Sequence, residues 1–200
     1  MIPIYHIGGL SIFVRSLLFA FPSFFINKFD VLEVSKLIIK ESITIISMVP
    51  IMLERLLDEE KNILPSFIRC IVLSGGHSNQ NLMKRCIDKN IPVYKSYGMT
   101  ETASGICGFW LNEYPLKYKS VGEVFNKNFI KIDNFVLHIM GPIIMKGYYN
   151  SKILEGWFNT GDCANIDEDG FLYIDPLRAD RIVSGGENIS PIEIENLLCD

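Results

Sequence analysis

The chain has 200 residues, a net charge of −4, and 48% hydrophobic against 21% charged residues, an ordinary globular composition with enough length for one sizeable domain. No run of Lys and Arg exceeds two residues, so the basic footprint that tracks a nucleic-acid backbone is missing and nucleic acid is excluded as a partner. The cysteines, Cys70, Cys86, Cys107, Cys163 and Cys199, are odd in number, widely spaced and free of any CxxC pair; this excludes a disulfide framework and a zinc site and fits a reducing cytoplasm.

The most apolar run, Leu10 to Ile26, comes first. Arg15 and Pro22 interrupt it, and it falls short of the roughly 20 residues that a membrane helix needs. The beginning also lacks the basic region of a cleavable signal. Buried core is the expectation there, with no membrane span. Next, "DVLEVSKLIIKE" places Asp30 and Glu33 at capping-box spacing and Val31, Val34, Leu37 and Ile38 on one face, which predicts a helix. A β-branched strand is predicted over 43–49, a helix over 51–60, and a strand over 68–76 that runs into Gly75 and Gly76. A helix over 79–90 and a strand over 91–98 complete the alternation. Continuous apolar strands alternating with helices predict an α/β fold with a parallel sheet covered by helices. Ligands bind beyond the carboxyl ends of such strands. "SGGHS" (74–78) and "YGMTET" (97–102) sit at two of those ends, so two polar loops should face one crevice.

After residue 105 the helical period disappears. "VGEVFN", "KIDNFVLHI", "GPIIMKGYY", "GWFNTGD" and "GFLYIDP" read as short antiparallel strands, and "NIDEDGFLYI" as a hairpin turned by Asp167, Asp169 and Gly170. The "DEDG" of that hairpin lacks the further ligands of a calcium loop. Ser190, Pro191 and Glu193 form a helix start, followed by about ten residues, fewer than an independent helix needs.

"YGMTET", "GWFNTGD" and "SGGENISPIEIE", in that order, resemble the adenylate-forming ligase superfamily: acyl-CoA synthetases, luciferase and peptide-synthetase adenylation domains. "PIYHIGGLSIFVRSLLF" (3–19) and "IVSGGENISP" are similar to the o-succinylbenzoate–CoA ligase branch, which serves menaquinone synthesis. The resemblance implies most of a large amino-terminal AMP-binding domain over 1–176, then a hinge and the first residues of the small carboxy-terminal domain over 177–200. It also implies two half-reactions. A carboxylate attacks the α-phosphate of ATP to give an acyl-adenylate and pyrophosphate, and the thiol of coenzyme A then displaces AMP.

Under that resemblance, Thr100 donates its hydroxyl to the α-phosphate and Glu101 is the hard oxygen ligand of Mg²⁺. Tyr97 offers an aromatic face to the adenine, with Gly75, Gly76, Gly98 and Met99 lining the nucleotide. Asp162 holds the ribose, and Arg178 is the candidate for a second ribose contact, reached by a local shift of one place. His6, Arg15, Gly75 and His77 line the acyl site, and Gly185 and Gly186 lie on the loop that moves in for the thioester step. Taken alone, Thr100 and Glu101 are turn residues, Gly185 and Gly186 a tight turn, and His6 a packed histidine. Arg15, charged in an apolar run, needs an anionic partner, either a core carboxylate or the substrate's.

Departures from the family pattern are expected to matter. The Ser/Thr/Gly-rich phosphate loop that relatives carry upstream, and their carboxy-terminal lysine, are not among the 200 residues. Counting back from "SGGEN", the ribose-contacting Arg falls on Leu177 and the hinge Asp or Lys on Ala179, one place from Arg178 and Asp180. His77 stands where a small residue is usual. Met1 lies inside a stretch that relatives continue upstream, which suggests an internal start. Each phosphate donor is typically worth about 10²–10³ in rate, so this chain is expected to adenylate weakly or not at all. Apolar surface left uncovered would favour self-association into a homo-oligomer. The alternatives at this stage are another acyl- or aryl-acid–CoA ligase, or a non-catalytic remnant that binds nucleotide or acyl-adenylate.

Overall fold

The structure, a computed structural model, describes residues 2–58, 64–76 and 78–174, with the backbone alone at 128, 182–184 and 187–189. Its helices are α1 (Ile7–Phe19), α2 (Val31–Lys40), α3 (Pro50–Asp58) and α4 (Gln80–Asp88). Three strands alternate with the last three of these: β1 (Ile45–Met48), β2 (Cys70–Leu73) and β3 (Val93–Met99). The strands that follow are β4 (Ser104–Trp110), β5 (Gly122–Val124), β6 (Ile130–Asp133), β7 (Val136–Ile139), β8 (Phe158–Ile166) and β9 (Phe171–Ile174). A separate hairpin pairs β10 (Ile182–Ser184) with β11 (Glu187–Ile189).

The Asp30 cap forms as the sequence predicts, and a second cap, not read there, forms at Asn79. The Asp30 carboxylate accepts the Glu33 N–H at 2.9 Å and starts α2, while the Asn79 side chain accepts the Leu82 N–H at 2.7 Å and starts α4. Each such cap is worth about 1 kcal/mol. Val34 and Ile38 of α2, Leu53 and Leu56 of α3, and Leu82 and Met83 of α4 bury their side chains against Met48, Ile71, Leu73 and Val93 of the sheet. A second core, of Ile106, Val124, Leu137, Ile139 and Leu172, lies in the antiparallel part. The two parts form one nine-stranded sheet in the order β1-β2-β3-β4-β5-β9-β8-β7-β6, parallel across β1–β3 and antiparallel beyond. That is the α/β class expected, with both halves fused through the β3–β4 pairing.

Three expectations need correction. The apolar run is not buried core. It forms α1 and the segment after it, where Gly9 is the only buried residue of the helix and Leu17, Leu18 and Phe19 are 67%, 71% and 72% exposed. The helix packs on β4, and its Phe13 ring meets that of Phe25. "KIDNFVLHI" is two strands, because Asn134 and Phe135 take φ of 50° and 65° and turn the chain between β6 and β7. "GPIIMKGYY" is not a strand, since Gly141 and Gly147 at φ 113° and 147° break the extended path. The predicted helix start at Ser190–Glu193 lies outside the described residues. Among those residues, no helix is long and apolar enough to cross a membrane.

Candidate active site

β2 and β3 run parallel side by side, with Leu73 level with Lys95, so their carboxyl ends open on the same edge of the sheet. The Gly75–Gly76 turn leaves one end. β3 continues past the expected boundary to Met99, and its pairing with β4 shifts register between Tyr97 and Gly98. Gly98 makes that shift feasible. A Cβ there would lie 1.9 Å from the Ser104 carbonyl oxygen, so the two strands close only on a glycine.

The chain then makes a single 3₁₀ turn, Thr100–Thr102, before reversing into β4. The buried Thr102 hydroxyl accepts the Met99 N–H at 3.1 Å and donates to the Ser104 carbonyl at 2.7 Å. Ala103 and Ser104 follow at φ 53° and 111°, each a conformation that costs a non-glycine residue about 1–3 kcal/mol. Thr102 holds that strained reversal from the inside. Thr100 is left exposed, and its hydroxyl has no intramolecular bond among the described residues. The Glu101 carboxylate is half-exposed, with Oε1 accepting the Tyr148 hydroxyl at 2.7 Å.

Asp162 comes from the other half of the sheet. The Thr160 hydroxyl donates to the Leu137 carbonyl at 2.8 Å and accepts the Asp162 N–H at 3.0 Å, and the Asn159 side chain accepts the Gly161 N–H at 2.8 Å. This small net aims Asp162 at β3, where its carboxylate accepts the Tyr97 hydroxyl. Burial, then the neighbouring Asp162 charge, push the Tyr97 phenol far above its ordinary range, so it stays a donor.

Earlier on β3 is Lys95, which sequence reasoning missed. Its buried ammonium donates to the Tyr118 and Ser120 carbonyls at 2.8 and 2.7 Å, and burial lowers its pKa to about 8. The Ser120 hydroxyl in turn donates to the Leu172 carbonyl at 2.6 Å. The signal was present: Lys95 has the inward parity of Val93 in an apolar strand, where a charge demands partners. Thr102 and Tyr148 were also missed, because both act through contacts that close only in the fold.

The structure therefore gathers Tyr97, Gly98, Met99, Thr100, Glu101 and Asp162, with Gly75 and Gly76 on the neighbouring strand end. His6 caps α1, its ring 4.6 Å from that of Tyr5, and α1 lies against β4. Arg15 is exposed on α1 and makes no ion pair among the described residues, so the expected anionic partner is not found there. His77, Arg178, Gly185 and Gly186 lie outside the described residues.

An exposed hydroxyl, a hard carboxylate and a tyrosine-held aspartate at the carboxyl edge of a parallel sheet suit a nucleotide phosphate, its cation and a ribose. No group of three or more His, Cys, Asp or Glu among the described residues could hold a metal alone. A magnesium ion shared between Glu101 and substrate phosphates fits that donor set, because Mg²⁺ is usually bound by one or two carboxylates plus phosphate oxygens. Residues 1–149 match the family model described as AMP-binding enzyme. The chain belongs to that family.

Among curated relatives of this AMP-binding chain, the 2-succinylbenzoate–CoA ligase of Oceanobacillus iheyensis is 38% identical over 212 residues, covering 98% of this chain and 44% of the relative. The chain thus spans less than half the length of the curated relatives it matches. An o-succinylbenzoate CoA synthetase double mutant from Bacillus subtilis, bound to the product analogue OSB-NCoA, superposes with a TM-score of 0.89 at 36% identity over 100% of this chain and 44% of that one. The same synthetase in complex with ATP and magnesium ion gives a TM-score of 0.80 at 36% identity, covering 98% of this chain and 45% of that one.

Proposed function

We propose that these residues are the central part of an ATP-dependent, AMP-forming carboxylate–CoA ligase whose acid is o-succinylbenzoate, acting in the cytoplasm in menaquinone synthesis. In this reading residues 1–176 belong to the large AMP-binding domain and 177–200 to the hinge and the start of the small domain. One observation carries it: Thr100 and Glu101 stand at the same sheet edge as the Tyr97–Asp162 pair, in a fold whose relative binds ATP and magnesium.

Each residue then has a chemical task. Thr100, exposed and without an internal side-chain bond among the described residues, donates to an α-phosphate oxygen. Asp162, anchored by Tyr97, accepts the ribose hydroxyls. Gly75, Gly76, Gly98 and Met99 allow close backbone approach to the nucleotide, and the Tyr97 ring flanks the adenine. Glu101 holds Mg²⁺, which when bound supplies charge compensation at the phosphate oxygens. The acid's carboxylate oxygen forms a bond to the α-phosphorus as the bond to the leaving pyrophosphate breaks. In the second step the sulfur of coenzyme A bonds to the acyl carbon, AMP leaves and the thiol proton is released. His6, Arg15 and His77 are assigned to the acyl side, Arg178 to the ribose, and Gly185 and Gly186 to the thioester step.

Melting curves with sulfamoyl mimics of the acyl-adenylate test this. At about 100 times its Kd, a ligand adds roughly 2.7 kcal/mol, or a rise of roughly 5–10 °C for a chain of this size. The o-succinylbenzoyl mimic is expected to give that rise, and benzoyl and fatty-acyl mimics less. Asp162→Ala should weaken binding about 10- to 100-fold through loss of charged hydrogen bonds. Equal shifts from all mimics would overturn the assigned substrate, and no shift from any would overturn the nucleotide site.

A further inference from the structure

The Glu101 carboxylate does not hang free in solvent. Its Oε1 accepts the Tyr148 hydroxyl at 2.7 Å, and its own backbone carbonyl accepts the Met145 N–H at 2.8 Å. No other bond to the carboxylate is made among the described residues. Residues 145–148 thus grip Glu101 by both backbone and side chain, from 47 positions away.

That loop is itself tied. The Leu154 N–H donates to the Lys146 carbonyl at 2.8 Å, and the Ser151 N–H to the Tyr148 carbonyl at 3.1 Å. Gly147 immediately precedes the tyrosine at φ 147°, and a Cβ there would meet the Lys152 carbonyl oxygen at 2.8 Å. Only glycine allows the backbone to close there and send the next side chain over Glu101.

We propose that Tyr148 is a positioning residue for the metal-ligating Glu101; this rests on the assignment of Glu101 to Mg²⁺ above. A glutamate loses several rotamers when it takes a cation, and the Tyr148 hydroxyl fixes one of them in advance. By using one Oε1 lone pair it also disfavours a bidentate grip of the carboxylate on a cation. Mg²⁺ demands near-ideal octahedral geometry and short bonds, whereas Ca²⁺ accepts variable geometry, so a fixed single oxygen favours Mg²⁺. Tyr148 is 56% exposed, and its bond competes with water, so the expected effect is moderate.

The test is calorimetric titration of the full chain with ATP in EDTA, in Mg²⁺ and in Ca²⁺, for wild type, Glu101→Gln, Tyr148→Phe and, as a neighbouring control, Tyr149→Phe. Tyr148→Phe is expected to lower the Mg²⁺ enhancement of ATP affinity about three- to tenfold, to lower the Ca²⁺ enhancement less, and to leave metal-free affinity and Tm unchanged. Tyr149→Phe should match wild type. If wild type shows no Mg²⁺ enhancement, or Glu101→Gln keeps it, the metal assignment fails and the proposal fails with it. If Glu101→Gln loses the enhancement while Tyr148→Phe keeps it, the metal assignment stands and the role of Tyr148 is overturned. Equal weakening with and without metal would make Tyr148 merely structural and overturn it too.

Discussion

Lys95 shows how much one buried charge organises. Its ammonium satisfies the Tyr118 and Ser120 carbonyls, tying β3 to the segment that leads into β5. Lys95→Met would leave two buried acceptors unpaired at roughly 1–3 kcal/mol each, a fall in Tm of about 4–24 °C. The pH dependence has a definite sign. The folded pKa of about 8 lies below the ordinary 10.5, so between those values the unfolded chain binds more protons. Stability contributed by Lys95 therefore rises with pH across that window. Urea titrations should show the deficit of Lys95→Met against wild type widening from pH 8 to 10. A deficit that narrows would mean that Lys95 is held as the ammonium in the fold. Thr100, Glu101 and Asp162 could be proposed from the sequence because their short polar motifs resemble those of the family. Lys95 carried a weaker mark, its parity in the strand. Tyr148 carried none beyond the glycine before it, since nothing local ties residue 148 to residue 101.

At the scale of elements, α2 to α4 and β1 to β3 could be read from period, with the Asp30 cap marking the start of α2, because local propensity and burial agree there. The segment 141–148 was misread because Ile143 and Ile144 suggest a strand, while the glycines beside them impose positive φ. α1 is the other departure. Leu10, Phe13, Val14, Leu17, Leu18 and Phe19 are all exposed, and the first five, at i, i+3, i+4, i+7 and i+8, form one apolar face. Such a face is built for burial, and here its residues stay 42–71% exposed. Sedimentation velocity should show concentration-dependent association of this chain, and Leu17→Lys combined with Leu18→Lys should shift it toward monomer. A wild type that stays monomeric over the tested range would contradict that expectation.

For the whole molecule, the decisive feature is the fusion of a parallel and an antiparallel half into one sheet through β3 and β4. Only that fusion brings Asp162 of β8 to Tyr97 of β3, 65 positions apart. The motifs named both residues, but their contact was not legible. It depends on the register shift that Gly98 permits and on the Thr160 net that aims Asp162. The nucleotide assignment rests on this convergence. Hydrogen–deuterium exchange with and without the o-succinylbenzoyl-sulfamoyl-adenosine mimic locates the site directly. Protection is expected in residues 97–102, 145–148 and 159–162 together, with the distant hairpin 167–171 unchanged. Protection confined to other segments, with 97–102 and 159–162 unaltered, would contradict the account.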